Sequence, residues 1–167
     1  MELRIKILEP IDVSPAYISW FSDVHVTQYS DNQYREVTLD GQYEYVRHCL
    51  SSERVDLYGI FDEKLHIGNI LIDGLNSQHG RAEITYLIGE RSYWGKGVGS
   101  FAVSQIVLLA AQKYKLHKVY AGVAKENVGS VRVLEKNEFS LEGVRPRHLF
   151  YHGVFHDQLD FGLLLSP

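Results

Sequence analysis

The amino-acid sequence predicts an α+β fold of the layered α/β kind: one mixed, mostly antiparallel central sheet with helices on both faces. Three observations predict it. Short alternating or apolar runs bounded by turn residues recur along the chain, as strands require. Longer stretches with helical spacing and cap residues stand between some of these runs and not others. Three runs in the middle are joined by turn chemistry alone, which reads as an antiparallel meander.

In order, "LRIKIL" (Leu3 to Leu8) alternates and reads as the first strand. "SPAYISWFSD" offers Ser14 as an N-cap and Pro15 at the first helical position, so a short helix follows. "TQYSDNQYRE" is polar, tyrosine-rich and without period, hence a loop. "VTLDGQYEYVRHCLSS" carries a second helix starting at Thr38. "VDLYGIF", "HIGNILIDGL" and "RAEITYLIG" form the meander, turning at Asp62–Glu63 and Asn76–Gly80. A glycine-rich loop leads into a long helix ending near Tyr114. "HKVYAGV" is a further strand and "NVGSVRVLEKN" a short helix. "LFYHGVFHDQLDFGLLL" is a final hairpin turning near His152–Gly153. The expected order is β-α-α-β-β-β-α-β-α-β-β.

At 167 residues, the chain 1–167 reads as a single domain with room for a real core. Apolar residues make up 45% and charged ones 23%, a globular profile. A net charge of −4 argues against broad nucleic-acid binding, which needs a basic face. The opening "MELRIKILEP" lacks the apolar core of a signal peptide, and no segment reaches membrane-spanning length, so a cytoplasmic protein with no membrane association is expected. The lone Cys49 cannot form an intrachain disulfide and reads as helix packing. His148, His152 and His156 recur every four residues, but on a hairpin rather than a helix, so no metal is expected.

The segment "SYWGKGVGSFAVSQIVLLAAQKY" places Gly95, Gly97 and Gly99 at every second position before a helix start. Without Cβ atoms the backbone can approach a ligand closely, and the first helical N–H groups have no partner within the helix. With the positive end of the helix dipole they form an anion site. A Walker loop fails here: Gly97 follows Lys96 where Ser or Thr is needed, and Glu90 stands at the first glycine position. "GVGSFA" fits a dinucleotide fingerprint, but "ERSYW" separates it from its strand and "HKVYAGV" ends without the ribose-binding acid.

The surroundings carry a better match. "YWGKGVGS" resembles the acetyl-CoA pyrophosphate loop of the GNAT acetyltransferases, with Gly97 and Gly99 on the two small positions and Trp94 where Arg or Gln is usual. "ENVGSVRVLEKNEF" resembles the helix after the fifth strand in the ribosomal-protein alanine acetyltransferase (Rim-type) branch, with Asn127, Ser130, Arg132 and Glu135–Lys136 in register. The closing "RPRHLFYHGVFHDQLDFGLL" resembles the family's last strands through Gly153, Asp157 and Leu163–Leu164. The resemblance covers Ile67 to Leu165 closely and the first half by topology.

The resemblance implies a splayed pair of strands, "AEITYLI" and "KVYAGV", whose gap admits the pantetheine arm of acetyl-CoA. Backbone groups of Tyr86, Leu87 and Ile88 would bond its amides and polarise the thioester carbonyl. Trp94 and the amides of Gly95, Lys96, Gly97, Val98, Gly99 and Ser100 would hold the pyrophosphate, and Asn127 would orient the arm, its other reading being an N-cap of the short helix, with room for both. The Lys96 side chain either adds charge there or is a solvated loop lysine. The implied reaction is direct attack of an amine, which is mostly protonated at neutral pH and so needs a base. Glu83, fourteen residues before Gly97, stands in the register of the catalytic glutamate of the histone-acetylating relatives; its other reading is a strand glutamate that faces solvent or pairs in the neighbourhood of Arg81. Thr85 shares its strand face and is a candidate to orient water or substrate. The family's usual proton donor, a Tyr, is replaced by Leu134, leaving Ser130 or solvent for the departing thiolate. Ser130 reads equally as a capping residue.

Tyr29 and Tyr34 are candidate walls of the acceptor pocket, and read equally as plain packing residues. The first-ranked acceptor is a small-molecule amine, with amino groups of nucleotide-linked sugars included. A protein N-terminus or a polyamine is the alternative, and an acyl-CoA-binding module without turnover is a reading of a different class. The resemblance also allows a homodimer.

Overall fold

The computed structural model describes residues 1–165. Strand β1 (Leu3–Ile7) is followed by short helices α1 (Pro15–Ser19) and α2 (Val24–Thr27) and the longer α3 (Leu39–Ser51). Then come β2 (Val55–Asp62), β3 (Leu65–Asp73) and β4 (Arg81–Ile88), helix α4 (Val98–Gln112), strand β5 (Lys118–Ala124) and helix α5 (Val128–Lys136). The long strands β6 (Ser140–Tyr151) and β7 (Val154–Leu164) close the chain. They make one seven-stranded sheet in the order β1-β2-β3-β4-β5-β7-β6, in which only β4 and β5 pair parallel.

The caps behave as their chemistry predicts. Ser14 accepts a bond from the Tyr17 N–H at 3.2 Å with Pro15 first in α1, and Thr38 accepts from the Gly41 N–H at 3.1 Å. Two features depart from the expected elements. The early loop holds the extra helix α2 and a 3-10 turn over Asp31–Tyr34, each started by a local side-chain cap, Asp23 and Ser30. And β6 begins at Ser140 rather than near Leu149. Its first half shows no alternation and contains Pro146, which cannot donate to a ladder. Pairing jumps from Arg145↔Gln158 to Leu149↔His156 across it, and Asp157 accepts from the Arg147 N–H inside the bulge at 2.9 Å.

Each face of the sheet carries its own core. Helix α4 buries Val98, Ala102, Val103, Ile106 and Ala110 against Ile70, Ile72, Ala82, Ile84 and Val119, with Leu134 of α5 in the same cluster. Each of the Val, Ile and Leu side chains among them, fully withdrawn from water, contributes about 1.5–3 kcal/mol. On the opposite face Tyr17, Trp20, Val46, Cys49, Leu57 and Phe61 pack beneath α1 and α3. Strand β4 runs between the two layers, so alternation sends Ala82 and Ile84 into the α4 core and leaves Glu83 and Thr85 exposed on the other face.

Candidate functional site

The one parallel pairing is short. Arg81, Ala82 and Glu83 lie opposite Lys118, Val119 and Tyr120, after which β4 and β5 separate. Their other edges explain why. Strand β5 stays paired with β7 from Lys118 to Ala124, while the end of β4 is held toward β3, where the Ile67 carbonyl accepts from the Gly89 and Glu90 N–H groups at 3.0 and 3.1 Å. Trp20 packs onto Gly89 so closely that a Cβ there would lie 1.9 Å from its ring. The indole N–H is fixed by the Glu90 carboxylate at 3.0 Å. Two strands anchored in opposite directions must splay.

The ladder pattern decides which backbone groups the gap receives. Since Gly89 bonds to Ile67, the antiparallel alternation makes Leu87↔Asn69 a hydrogen-bonded pair and turns Leu87 toward β3. The N–H and C=O groups of Tyr86 and Ile88 therefore point into the gap, and those of Leu87 do not. The Ile88 carbonyl already accepts the Trp94 indole N–H at 2.8 Å, leaving one lone pair. Thus Trp94 reaches the rim of the gap through its side chain, with Arg91 against its ring.

Beyond the gap, Gly97 caps α4 in the left-handed region at φ +82°, and Gly95 has φ +72°. A Cβ on either would meet no protein atom within 4 Å, so the space before the helix is open. The Lys96 N–H is turned to the Tyr93 carbonyl at 3.4 Å and its ammonium lies over the Tyr93 ring. The N–H groups of Val98, Gly99 and Ser100 precede the first helical bond, which Phe101 makes to Gly97. An anionic group fits these donors. Gly99 has a second duty: a Cβ there would sit 3.3 Å from Val133, at the α4–α5 contact. Across it, the Ser100 hydroxyl accepts from the Asn137 amide at 3.2 Å.

At the start of α5 the Asn127 side chain accepts from the Ser130 N–H at 3.2 Å, a cap. The Ser130 carbonyl accepts the Tyr86 hydroxyl at 3.3 Å, whereas the Ser130 hydroxyl has no partner among the described residues. Burial pushes the Tyr86 phenol up to about 12, so it stays protonated. Leu134 is 1% exposed and belongs wholly to the core.

Glu83 is the last paired residue before the splay, directly opposite Asp73 on β3. Its carboxyl is raised above the ordinary range by partial desolvation, then by Asp73 and Asp160, with Arg145 opposing. Asp73 is held by Arg54 at 2.5 Å and Asp160 by Arg145 at 2.6 Å. Tyr29 meets His156 edge-on, with ring centroids 6.0 Å apart, and His156 pairs with Glu126 at 2.8 Å. Tyr34 stacks on Tyr151 and its hydroxyl donates to the Phe150 carbonyl. These contacts join the early loop to the β6–β7 hairpin, and both tyrosines serve that junction. The charged neighbours of Glu83 were hidden from the sequence because Asp73, Asp160 and Arg145 come from three different strands. The period-two spacing of His156, Gln158 and Asp160 was the one local signal of a polar face on β7.

Comparison with known proteins agrees with this geometry. A model of the GNAT acetyltransferase domain matches residues 3–140. The chain is 35% identical over 111 residues to the probable N-acetyltransferase YjcK of Bacillus subtilis (strain 168), a match covering 64% of this chain and 60% of that protein. It is 29% identical over 168 residues to the uncharacterized N-acetyltransferase p20 of Bacillus licheniformis, covering 98% and 92% respectively. Among solved structures, a spermidine N-acetyltransferase from Vibrio cholerae in complex with CoA and spermine superposes with a TM-score of 0.86 at 22% identity, over 98% of this chain and 95% of that one. A ribosomal-protein alanine acetyltransferase from Vibrio fischeri does so with a TM-score of 0.86 at 17% identity, over 98% and 93%. At such identities the likeness speaks for the fold. Among the described residues no helix is long and apolar enough to cross a membrane. With the family model spanning β1 to the start of β6, the chain belongs to the GNAT family of acetyltransferases, whose acyl donor is acetyl-CoA.

Proposed function

We propose that the protein is an N-acetyltransferase that moves an acetyl group from acetyl-CoA to the primary amine of a small molecule. The observation that carries this reading is the position of Glu83: a carboxyl with raised proton affinity at the apex of a splay whose far side is the open, glycine-capped N-terminus of α4. When bound, acetyl-CoA supplies an activated acyl group with a thiolate leaving group. The free N–H groups of Val98 to Ser100 would hold its pyrophosphate. The Tyr86 and Ile88 backbone groups in the gap would hold its arm as an added strand. Glu83 takes a proton from the incoming amine, directly or through water, and the neutral amine attacks. The Ser130 hydroxyl is free to donate toward the leaving sulfur.

Relatives act on spermidine, and one is named as a putative ribosomal N-acetyltransferase. Polyamines and protein N-termini are therefore the competing acceptors. The buried thiol of Cys49 accords with a reducing, cytoplasmic setting. Steady-state thiol release from acetyl-CoA, measured across a panel of amines, tests the proposal. Turnover with a small amine supports it. Tight acetyl-CoA binding with no turnover on any amine or N-terminal peptide would make the chain an acyl-CoA-binding module instead.

A further inference from the structure

On the sheet face opposite α4 and α5, a depression of about 270 Å³ opens beside the apex of the splay. Arg54, Asp73, Ser77, Arg81, Glu83 and Tyr120 line it. Its charges are unevenly compensated. Asp73 holds Arg54, and on the neighbouring strands Asp160 holds Arg145 and Glu142 holds Lys118 at 2.7 Å. Among the described residues the side chains of Glu83 and Arg81 have no ionic or hydrogen-bonded partner. One free anion and one free cation thus share a pocket, two residues apart on β4 and on the same face, about 7 Å between Cα atoms.

We propose that the acceptor carries an anionic group, a carboxylate or a phosphate, several bonds from its amine, and that Arg81 is the specificity residue that binds it. This rests on the acetyl-transfer reading above. With its amine at Glu83, such a molecule completes both unpaired charges at once. The guanidinium presents parallel donors that match carboxylate and phosphate oxygens. A polyamine is served poorly by the same surface. Its further ammonium groups would find the neighbouring carboxylates Asp73 and Asp160 already neutralised and would face the uncompensated Arg81. Ser77 and Asn76 add neutral polar groups at the anion's end of the depression.

Matched probes test this with the full chain. The carboxylate arm compares 6-aminohexanoate with 6-amino-1-hexanol; the phosphate arm compares 3-aminopropyl phosphate with 3-amino-1-propanol; spermidine is the polycation. In the wild type, kcat/KM for the anionic member of at least one pair should exceed that of its neutral partner by about ten- to hundredfold, as for one charge-assisted contact. The arm with the larger ratio identifies the anion. In Arg81→Gln that ratio should fall toward one through KM, and Arg81→Lys should recover part of it, since charge returns without the fork. Equal rates within both pairs, a preference for spermidine, or an anion preference that survives in a folded Arg81→Gln would each overturn the proposal while leaving acetyl transfer standing. Absence of thiol release with every amine would sink the acetyl-transfer reading, and this inference with it.

Discussion

Replacing Glu83 by Gln keeps the shape of the side chain and removes its ability to accept a proton. The size of the effect follows from where Glu83 sits. General bases contribute roughly 10²–10⁴-fold, the upper end belonging to sites closed to water. Glu83 is exposed in an open depression, so water can take over part of its work, and the loss in kcat should lie near 10²-fold, about 2.7 kcal/mol of barrier. The pH profile should change with it. Because the Glu83 carboxyl is raised, wild-type kcat climbs as it deprotonates; the variant lacks that limb and regains rate only at high pH, where the amine is itself neutral. Stability moves the other way. A folded value above the unfolded one, about 4.3, means the carboxyl's contribution is full below that pH and is lost as pH rises through the folded value. Glu83→Gln escapes this loss, so at neutral pH its melting temperature should equal or exceed that of the wild type. Thiol-release kinetics and thermal melts across pH check both. A folded variant that keeps more than half the rate at neutral pH would refute the base assignment.

Two further outcomes follow from the glycines. In Gly97→Ala the new Cβ meets no protein atom, yet φ +82° is strained by about 1–2 kcal/mol for any L side chain. Calorimetry should show a folded protein with acetyl-CoA affinity weakened at least tenfold, and unchanged affinity would contradict the anion site. Gly89→Ala drives a Cβ into the Trp20 ring, which is 3% exposed, so stability should fall by roughly 3 kcal/mol, the upper end for an overpacked core. A small change would show that Trp20 does not anchor the end of β4.

What could be read in the chain was what is local. Ser14, Thr38 and Asn127 cap their helices through bonds to N–H groups three residues on, and such spacing is visible in any sequence. The glycine loop is likewise legible, because positive φ leaves glycine as its signature. The start of β6 was not. Residues 140–148 lack alternation, and the strand exists there because β7 supplies a partner across a proline bulge. The direction of the Leu87 backbone was hidden for a related reason: it depends on register with Asn69, eighteen residues away. The charge balance around Glu83 is set by Arg54, just before β2, and by β3, β6 and β7 together. Glu83 was found from its distance to Gly97, whereas Arg81 entered only as a pairing neighbour of Glu83, and the structure leaves the two side chains unpaired among the described residues.

The missing tyrosine at position 134 raises a question that magnitudes can answer. Leu134 is buried, so no proton can come from there. The Tyr86 phenol is nearby, but at about 12 it holds its proton more tightly than a thiol of about 8.5, and transfer to a thiolate would be uphill; the Ser130 hydroxyl, an alkyl alcohol, holds its proton more tightly still and can offer the sulfur a hydrogen bond but not a proton. A dedicated acid is therefore of limited value here. At pH 7 the gap to 8.5 is about 1.5 units, roughly 2 kcal/mol, so full proton donation can accelerate departure of the sulfur by no more than about thirtyfold. Above pH 8.5 the advantage vanishes, since the thiolate is then the stable form. Ser130→Ala tests this cleanly. The hydroxyl has no protein partner among the described residues, and the Asn127 cap binds the backbone N–H, which alanine retains. The unfolding free energy should stay within about 0.5 kcal/mol of the wild type. Its kcat should drop less than thirtyfold, and by the same factor at pH 7 and above 8.5, because the hydroxyl offers the thiolate a hydrogen bond. A larger loss would mean that Ser130 positions the reacting groups rather than serving the sulfur, and a deficit that closes above pH 8.5 would mean that the sulfur receives a proton through it.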